Sequence, residues 1–239
     1  MKESFDKKQH NRFIKYFNIK ENPSEIEISF YKKAEKYIKY IKWLPGLKMI
    51  WIWNSISMNC ATKDSDIDLY IVSDNKTMWY NRIIITFIFQ ILWVRKTLKN
   101  HAWRFCLSFF STIKWMDFSN FKIENDIYLY FWIIYFKPIL NNDNTYELFL
   151  EKNSSWADFS KYEQILENNK KYIKYKWKKR KICIYIEFLN TISKRLFLPK
   201  TLKHYNNIWK PFWVIINDNI LKFHNWDIRK KIKNLHIKI

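Results

Sequence analysis

The clearest periodicity along the chain runs from Ser24 to Ile41, where Ile26, Ile28, Phe30, Ala34, Tyr37 and Ile38 recur at helical spacing. Ser24 followed by Glu27 predicts a capping box at its front end. Pro45-Gly46 predicts a turn, and Leu47–Trp53 reads as a short buried strand. Asn54–Cys60 is expected to open a helix capped by Asn54 or Ser55. Ile67–Val72 reads as a second strand, Thr77–Val94 as a long helix, and Arg104–Thr112 as a third strand. Asp126–Phe136 reads as a helix stopped near Pro138. Further on, Tyr146–Trp156 and Ile182–Leu198 read as helices, and Tyr162–Arg180 carries a dense lysine run. Trp213–Ile220 is expected to be a strand or an apolar loop before Leu221–Lys233. The expected class is α+β: a small mixed sheet with packing helices over residues 1–140, then a mainly helical, basic region over 141–239. Asn-Asn-Asp-Asn breaks the pattern at the join.

Two carboxylates stand out against this frame. Residues two apart on a strand share a face, so Asp66 and Asp68 project side by side while Ile67, Leu69 and Ile71 enter the core. Such a pair repels itself unless a cation joins it. Mg²⁺ suits hard oxygen ligands and leaves room for triphosphate oxygens, with Mn²⁺ as an alternative. Two such ions can clamp an in-line phosphoryl displacement. Upstream, the Asn54-Ser55 junction would offer N–H groups and a hydroxyl to an anion at the expected helix start.

Ile50-Trp51-Ile52-Trp53-Asn54-Ser55, followed by Asp64-Ser65-Asp66-Ile67-Asp68-Leu69, resembles the signature of the polymerase-β-like nucleotidyltransferase superfamily. That signature is an apolar strand, a Gly-Ser or Gly-Asn-Ser junction, a spacer, and Asp-x-Asp on the next strand. The resemblance covers roughly residues 30–115. It implies a nucleotidyltransferase core, with Asp66 and Asp68 as metal ligands and catalytic groups. It also implies nucleotide contacts from Trp53, Asn54, Ser55 and Ser65. The implied reaction is Mg²⁺-dependent transfer of a nucleoside monophosphate from an NTP, ATP among them, to an acceptor hydroxyl on a small molecule, a protein or an RNA end. Two departures matter. Trp53 stands where the family has glycine. The family's third carboxylate has no counterpart on the third strand, where Cys106 and Ser108 share the relevant face and Asp117 and Glu124 lie beyond it. A catalytically reduced binding or regulatory protein is the competing expectation.

Composition changes this picture in two ways. A formal charge of +21 favours phosphate-rich partners, nucleic acid included. An AT-rich coding bias toward Lys, Asn, Ile and Tyr accounts for it equally well. The apolar runs Ile83–Val94 and Ile127–Phe136 fall short of the roughly 18 residues a spanning helix needs. The polar start and three scattered cysteines (Cys60, Cys106, Cys183) lead to the expectation of a cytoplasmic protein without a transmembrane segment.

The second change is an imbalance. The chain has 13 tryptophans and a single glycine, Gly46, whereas average usage would give about 7% glycine. Trp53, Trp79, Trp93, Trp103 and Trp226 lie at expected turns and element boundaries, where glycine is ordinary. This pattern predicts UGA codons, read as glycine in the cell, at several tryptophan positions. Trp132 and Trp156, in apolar surroundings, read as genuine. A protein truly rich in tryptophan is the alternative.

Among other polar clusters, His224, Asp227 and Arg229 read first as a structural turn with a capping Asp, and second as a phosphate contact. Tyr172–Lys181 reads first as a solvated face, and second as a single-strand-binding stretch. His10, His101, His204 and His236 have no partners at triad or metal spacing.

Overall fold

The computed structural model describes residues 2–177, 184–206, 213–224 and 227–237. Helix α1 (Lys7–Phe17) starts at a capping box in which Asp6 accepts from the Gln9 N–H at 2.7 Å and the Gln9 side chain accepts from Asp6. The sequence reading passed over this helix. Helix α2 (Glu25–Ile38) starts as expected at Ser24, whose N–H and hydroxyl both donate to Glu27. The other Glu27 oxygen accepts the Ala61 N–H at 2.9 Å. The helix start thereby anchors the loop that follows the first strand.

Strand β1 (Leu47–Ile52) pairs antiparallel with β2 (Ile67–Ser73). Helix α3 (Met78–Ile91) then crosses over to β3 (Phe105–Thr112), which runs parallel to β2. Helix α4 (Ile127–Tyr135) is apolar on all sides and leads into β4 (Lys137–Asn141), which pairs antiparallel with β1. Helices α5 (Thr145–Asn153), α6 (Glu163–Asn169) and α7 (Ile184–Asn206) follow. The hairpin β5 (Trp213–Ile216) and β6 (Ile220–His224) adds to β3, and α8 (Arg229–Ile237) ends the described chain. The result is an α+β fold on one six-stranded mixed sheet, in the order β4-β1-β2-β3-β6-β5. Strands from both sides of residue 140 share it.

Strand alternation divides the core between the two sheet faces. Leu47, Ile50, Ile52, Ile67, Leu69 and Ile71 pack beneath α2 and α3. Met49, Trp51, Tyr70, Val72 and Phe109 pack with α1, α4, α5, α6 and α8. Among the described residues no helix is long and apolar enough to cross a membrane.

Two expectations need correction, and one strand is unforeseen. Asn54–Cys60 is a run of turns, not a helix. Asn54 (φ 59°) and Asn59 (φ 52°) are left-handed, which breaks any helical course between them. The bonds from Met58 N–H to Asn54 O and from Cys60 N–H to Ser55 O close the turns. Helix α4 ends ahead of Pro138 as the sequence predicts, and Pro138 itself lies within β4, a strand the local pattern does not announce; proline is tolerated on an edge strand. Trp213–Ile220 is not one strand or loop: Asn217 turns the chain there into the β5–β6 hairpin, its side chain accepting the Asn219 and Ile220 N–H groups. The start of the predicted helix at Ile182, the end of the lysine run, Cys183 and Trp226 lie outside the described residues.

Replacing Glu27 tests the anchor. Burial opposes its ionisation, but donors from Ser24 and Ala61 outweigh this and hold its carboxyl below the usual range. A depressed carboxylate pKa stabilises the fold at pH values above the unfolded pKa, and that contribution is lost as pH falls through the folded one. Glu27→Ala is expected to cost about 2–3 kcal/mol in urea unfolding at pH 7. The difference from the parent chain should narrow by pH 3.

Candidate metal and nucleotide site

Parallel pairing brings the site together. Asp66 immediately precedes β2, Asp68 is its second residue, and Cys106 lies opposite Asp68 in the β2–β3 register. One ligand atom from each of Asp66, Asp68 and Cys106 falls within 4.8 Å of the others. The chain therefore presents two carboxylates and a thiol where three donors would meet one cation.

Polar contacts fix the cluster from three sides. Asn54 donates to Asp68 Oδ2 at 2.7 Å, while its own carbonyl oxygen accepts the Trp132 indole N–H at 2.9 Å. The left-handed turn at Asn54 thus orients one carboxylate. Lys96, on the segment leaving α3, places Nζ 2.6 Å from Asp66 Oδ2. Its N–H bonds the carbonyl of Phe105, which holds this segment beside the start of β3. Cys106 donates to Ser108 Oγ at 3.2 Å.

Electrostatics match a cation site. Burial and then the neighbouring Asp66 carboxylate push the Asp68 carboxyl well above the usual carboxylate range; Asn54, Cys106 and Lys96 only partly offset them. Burial, with Asp68 next, holds the Cys106 thiol well above its usual range. A divalent ion would relieve both penalties. On the far side, Lys222 of β6 is fully buried with Nζ over the rings of Phe109 and Trp132. Burial pushes its ammonium well below the usual lysine range.

The other sequence candidates fall as follows. Trp53 is buried, with its ring 4.3 Å from Trp132 and 5.8 Å from Phe109. Ser55 is half-buried beside Asn54, with its carbonyl used by Cys60. The Ser65 hydroxyl accepts the Thr62 N–H and so closes the turn before Asp66. The helix start expected to bind an anion at Asn54-Ser55 is absent, since this segment is a set of turns. Asp117 caps the short helix Phe118–Asn120, and Glu124 pairs with Lys233, so neither is a third acid here. Asp227 accepts from Arg229, and Arg229 also bonds Phe121 O and Asp126 at the start of α4. This cluster staples α8 to α4, in line with the structural reading. His10 bonds the Tyr135 hydroxyl inside the core.

Sequence reasoning missed Lys96, Trp132 and Lys222 as neighbours of the site. Lys96 was findable in principle, because a parallel crossover must return the chain to the start of the next strand, beside Asp66. Comparison with protein-family models, with curated proteins and with solved structures finds no match.

The raised Asp68 pKa carries a sign. Below about pH 4 the carboxyl is protonated in both folded and unfolded chains, so it costs nothing. As pH rises toward the folded pKa the penalty grows, and above it the full penalty remains. Without divalent ions, Asp68→Asn is expected to raise the melting temperature at pH 8, and the gain should vanish near pH 4. Adding Mn²⁺ should stabilise the parent chain and leave the variant unmoved.

Proposed function

We propose that the chain is a metal-dependent nucleotidyltransferase that moves a nucleoside monophosphate from an NTP to an acceptor hydroxyl. The convergence of Asp66, Asp68 and Cys106 at the start of β2, within 4.8 Å of one another, carries this reading. The resemblance of the β1–β2 segment to polymerase-β-like nucleotidyltransferases adds to it. In the reaction the acceptor oxygen bonds to the α-phosphorus as the bond to the leaving pyrophosphate breaks, so no protein nucleophile is required. A bound divalent ion supplies the charge that screens the phosphates. Asp66 and Asp68 hold that ion, and the Asn54 amide keeps Asp68 aimed at it. Lys96, its side chain 41% exposed, supplies a positive charge for the phosphate oxygens.

The third donor sets a metal preference. Mg²⁺ favours oxygen, whereas a thiol is a better ligand for softer ions. The parent enzyme is therefore expected to work better with Mn²⁺ than with Mg²⁺. Cys106→Asp should shift the activity ratio toward Mg²⁺. Assays with labelled NTPs over both ions check this, with loss of about 100-fold or more expected for Asp66→Ala and Asp68→Ala.

A second reading, nucleotide binding without turnover, is favoured by the Lys96 ammonium on Asp66 and by the missing third acid. Its signature would be NTP binding with no metal-dependent transfer. Binding to nucleic acid, favoured by the charge of +21, would instead survive loss of both aspartates and fall steeply with salt.

A further inference from the structure

Eight described non-glycine residues have left-handed backbone, and six of them are Asn or Asp: Asn18, Asn54, Asn59, Asn125, Asp143 and Asn144. Those residue types tolerate the region because their short side chains bond locally. The other two are both tryptophan, Trp93 at φ 54° and Trp103 at φ 61°. A bulky side chain pays the Cβ clash with the carbonyl there, and only Trp103 sets packing against it, its ring stacked 3.9 Å from Phe30.

The local bonding at both positions is what glycine normally serves. After α3, Trp93 N–H bonds Gln90 O and Val94 N–H bonds Phe89 O. That crossed pair is a Schellman motif with residue 93 at its left-handed position. The Trp93 indole is 77% exposed, so packing does not explain it. At residue 103, the Arg104 N–H bonds His101 O, closing a four-residue turn whose third residue is left-handed. That is the position a type II turn reserves for glycine.

Buried tryptophans divide in the same sense. Trp132 and Trp156 donate their indole N–H groups to Asn54 and Asn153. Trp51, at the centre of β1, buries its own with no acceptor among the described residues; Trp79 does too, but its ring carries the Arg82 guanidinium at 5.2 Å, a contact glycine would forfeit. An orphaned buried donor is costly, and native cores avoid it.

We infer that residues 51, 53, 93 and 103 are glycine in the native protein, decoded from UGA, whereas Trp132 and Trp156 are true tryptophans. Residue 53 joins the set through its place at the Asn54 junction and its indole packed against Trp132. With glycine at 53, the indole space against Trp132 and Phe109, next to the Asn54 that bonds both Trp132 and Asp68, opens into a recess for a nucleotide. That last consequence rests on the nucleotidyltransferase reading.

The gene and two recombinant forms test this. The codons at 51, 53, 93 and 103 should be UGA, and those at 132 and 156 UGG. The intact mass of protein from the source organism should fit glycine at the UGA positions. Trp93→Gly, which gives up no packing, should raise the melting temperature by about 2–4 °C, and Trp132→Gly and Trp156→Gly should lower it. UGG at 93 and 103, or no gain from glycine at 93, would overturn the inference. The form with glycine at all four positions should bind Mn²⁺–ATP more tightly than the form with tryptophan. Equal binding by both would overturn the recess. Tighter binding without metal-dependent transfer would support the recess while contradicting the nucleotidyltransferase reading.

Discussion

The mutual repulsion of Asp66 and Asp68 is the constraint around which the rest of the site is arranged. The two carboxylates, one just before β2 and one at its second residue, share a side, and burial deprives Asp68 of water. Each is met by a partner from a different element. Asn54 reaches Asp68 from the turn after β1, and Lys96 reaches Asp66 from the segment that follows α3. Cys106 faces Asp68 across the parallel β2–β3 pair. Each contact requires the sheet order and the right spacing of the crossover, so the pair ties local charge to global topology.

The same contacts explain why the loop after β1 is a set of turns. A helix there would aim N–H groups at an anion. The left-handed Asn54 instead turns its side chain toward both Asp68 and Trp132. Glu27 then holds the far end of this loop through Ala61. Among the described residues, therefore, no helix terminus faces this region, and the nearest cation to the carboxylates is Lys96 on Asp66.

Much of the fold was legible in local signals. Ser24 and Glu27 marked α2, and the apolar runs located β1, β2, β3, α3 and α4 within a few residues. The two-residue period brought Asp66 and Asp68 together, although Asp66 lies just before β2 rather than on it. The misses have separate physical causes. Helix α1 presents few apolar residues, and its cap (Asp6 with Gln9) was the usable sign. Strand β4 was hidden by Pro138, since a sequence does not reveal which strand is an edge. Strand β6 carries Lys222, a buried charge that breaks the apolar pattern. Cys106 was placed on the right face, but its closeness to both carboxylates depends on register, which no local pattern encodes. Trp93 and Trp103 looked out of place by composition, and the backbone angles give that impression a physical basis.

The proposed chemistry requires a divalent ion bound between Asp66, Asp68 and Cys106. The most direct measurement is a crystal structure with Mn²⁺ and a non-hydrolysable ATP analogue, read by anomalous scattering at the manganese edge. The expected result is an anomalous peak in contact with both carboxylates, the triphosphate on the same ion, and Lys96 moved from Asp66 to a phosphate oxygen. An intact Lys96–Asp66 pair with no peak there, under conditions where the analogue is bound elsewhere, would contradict it.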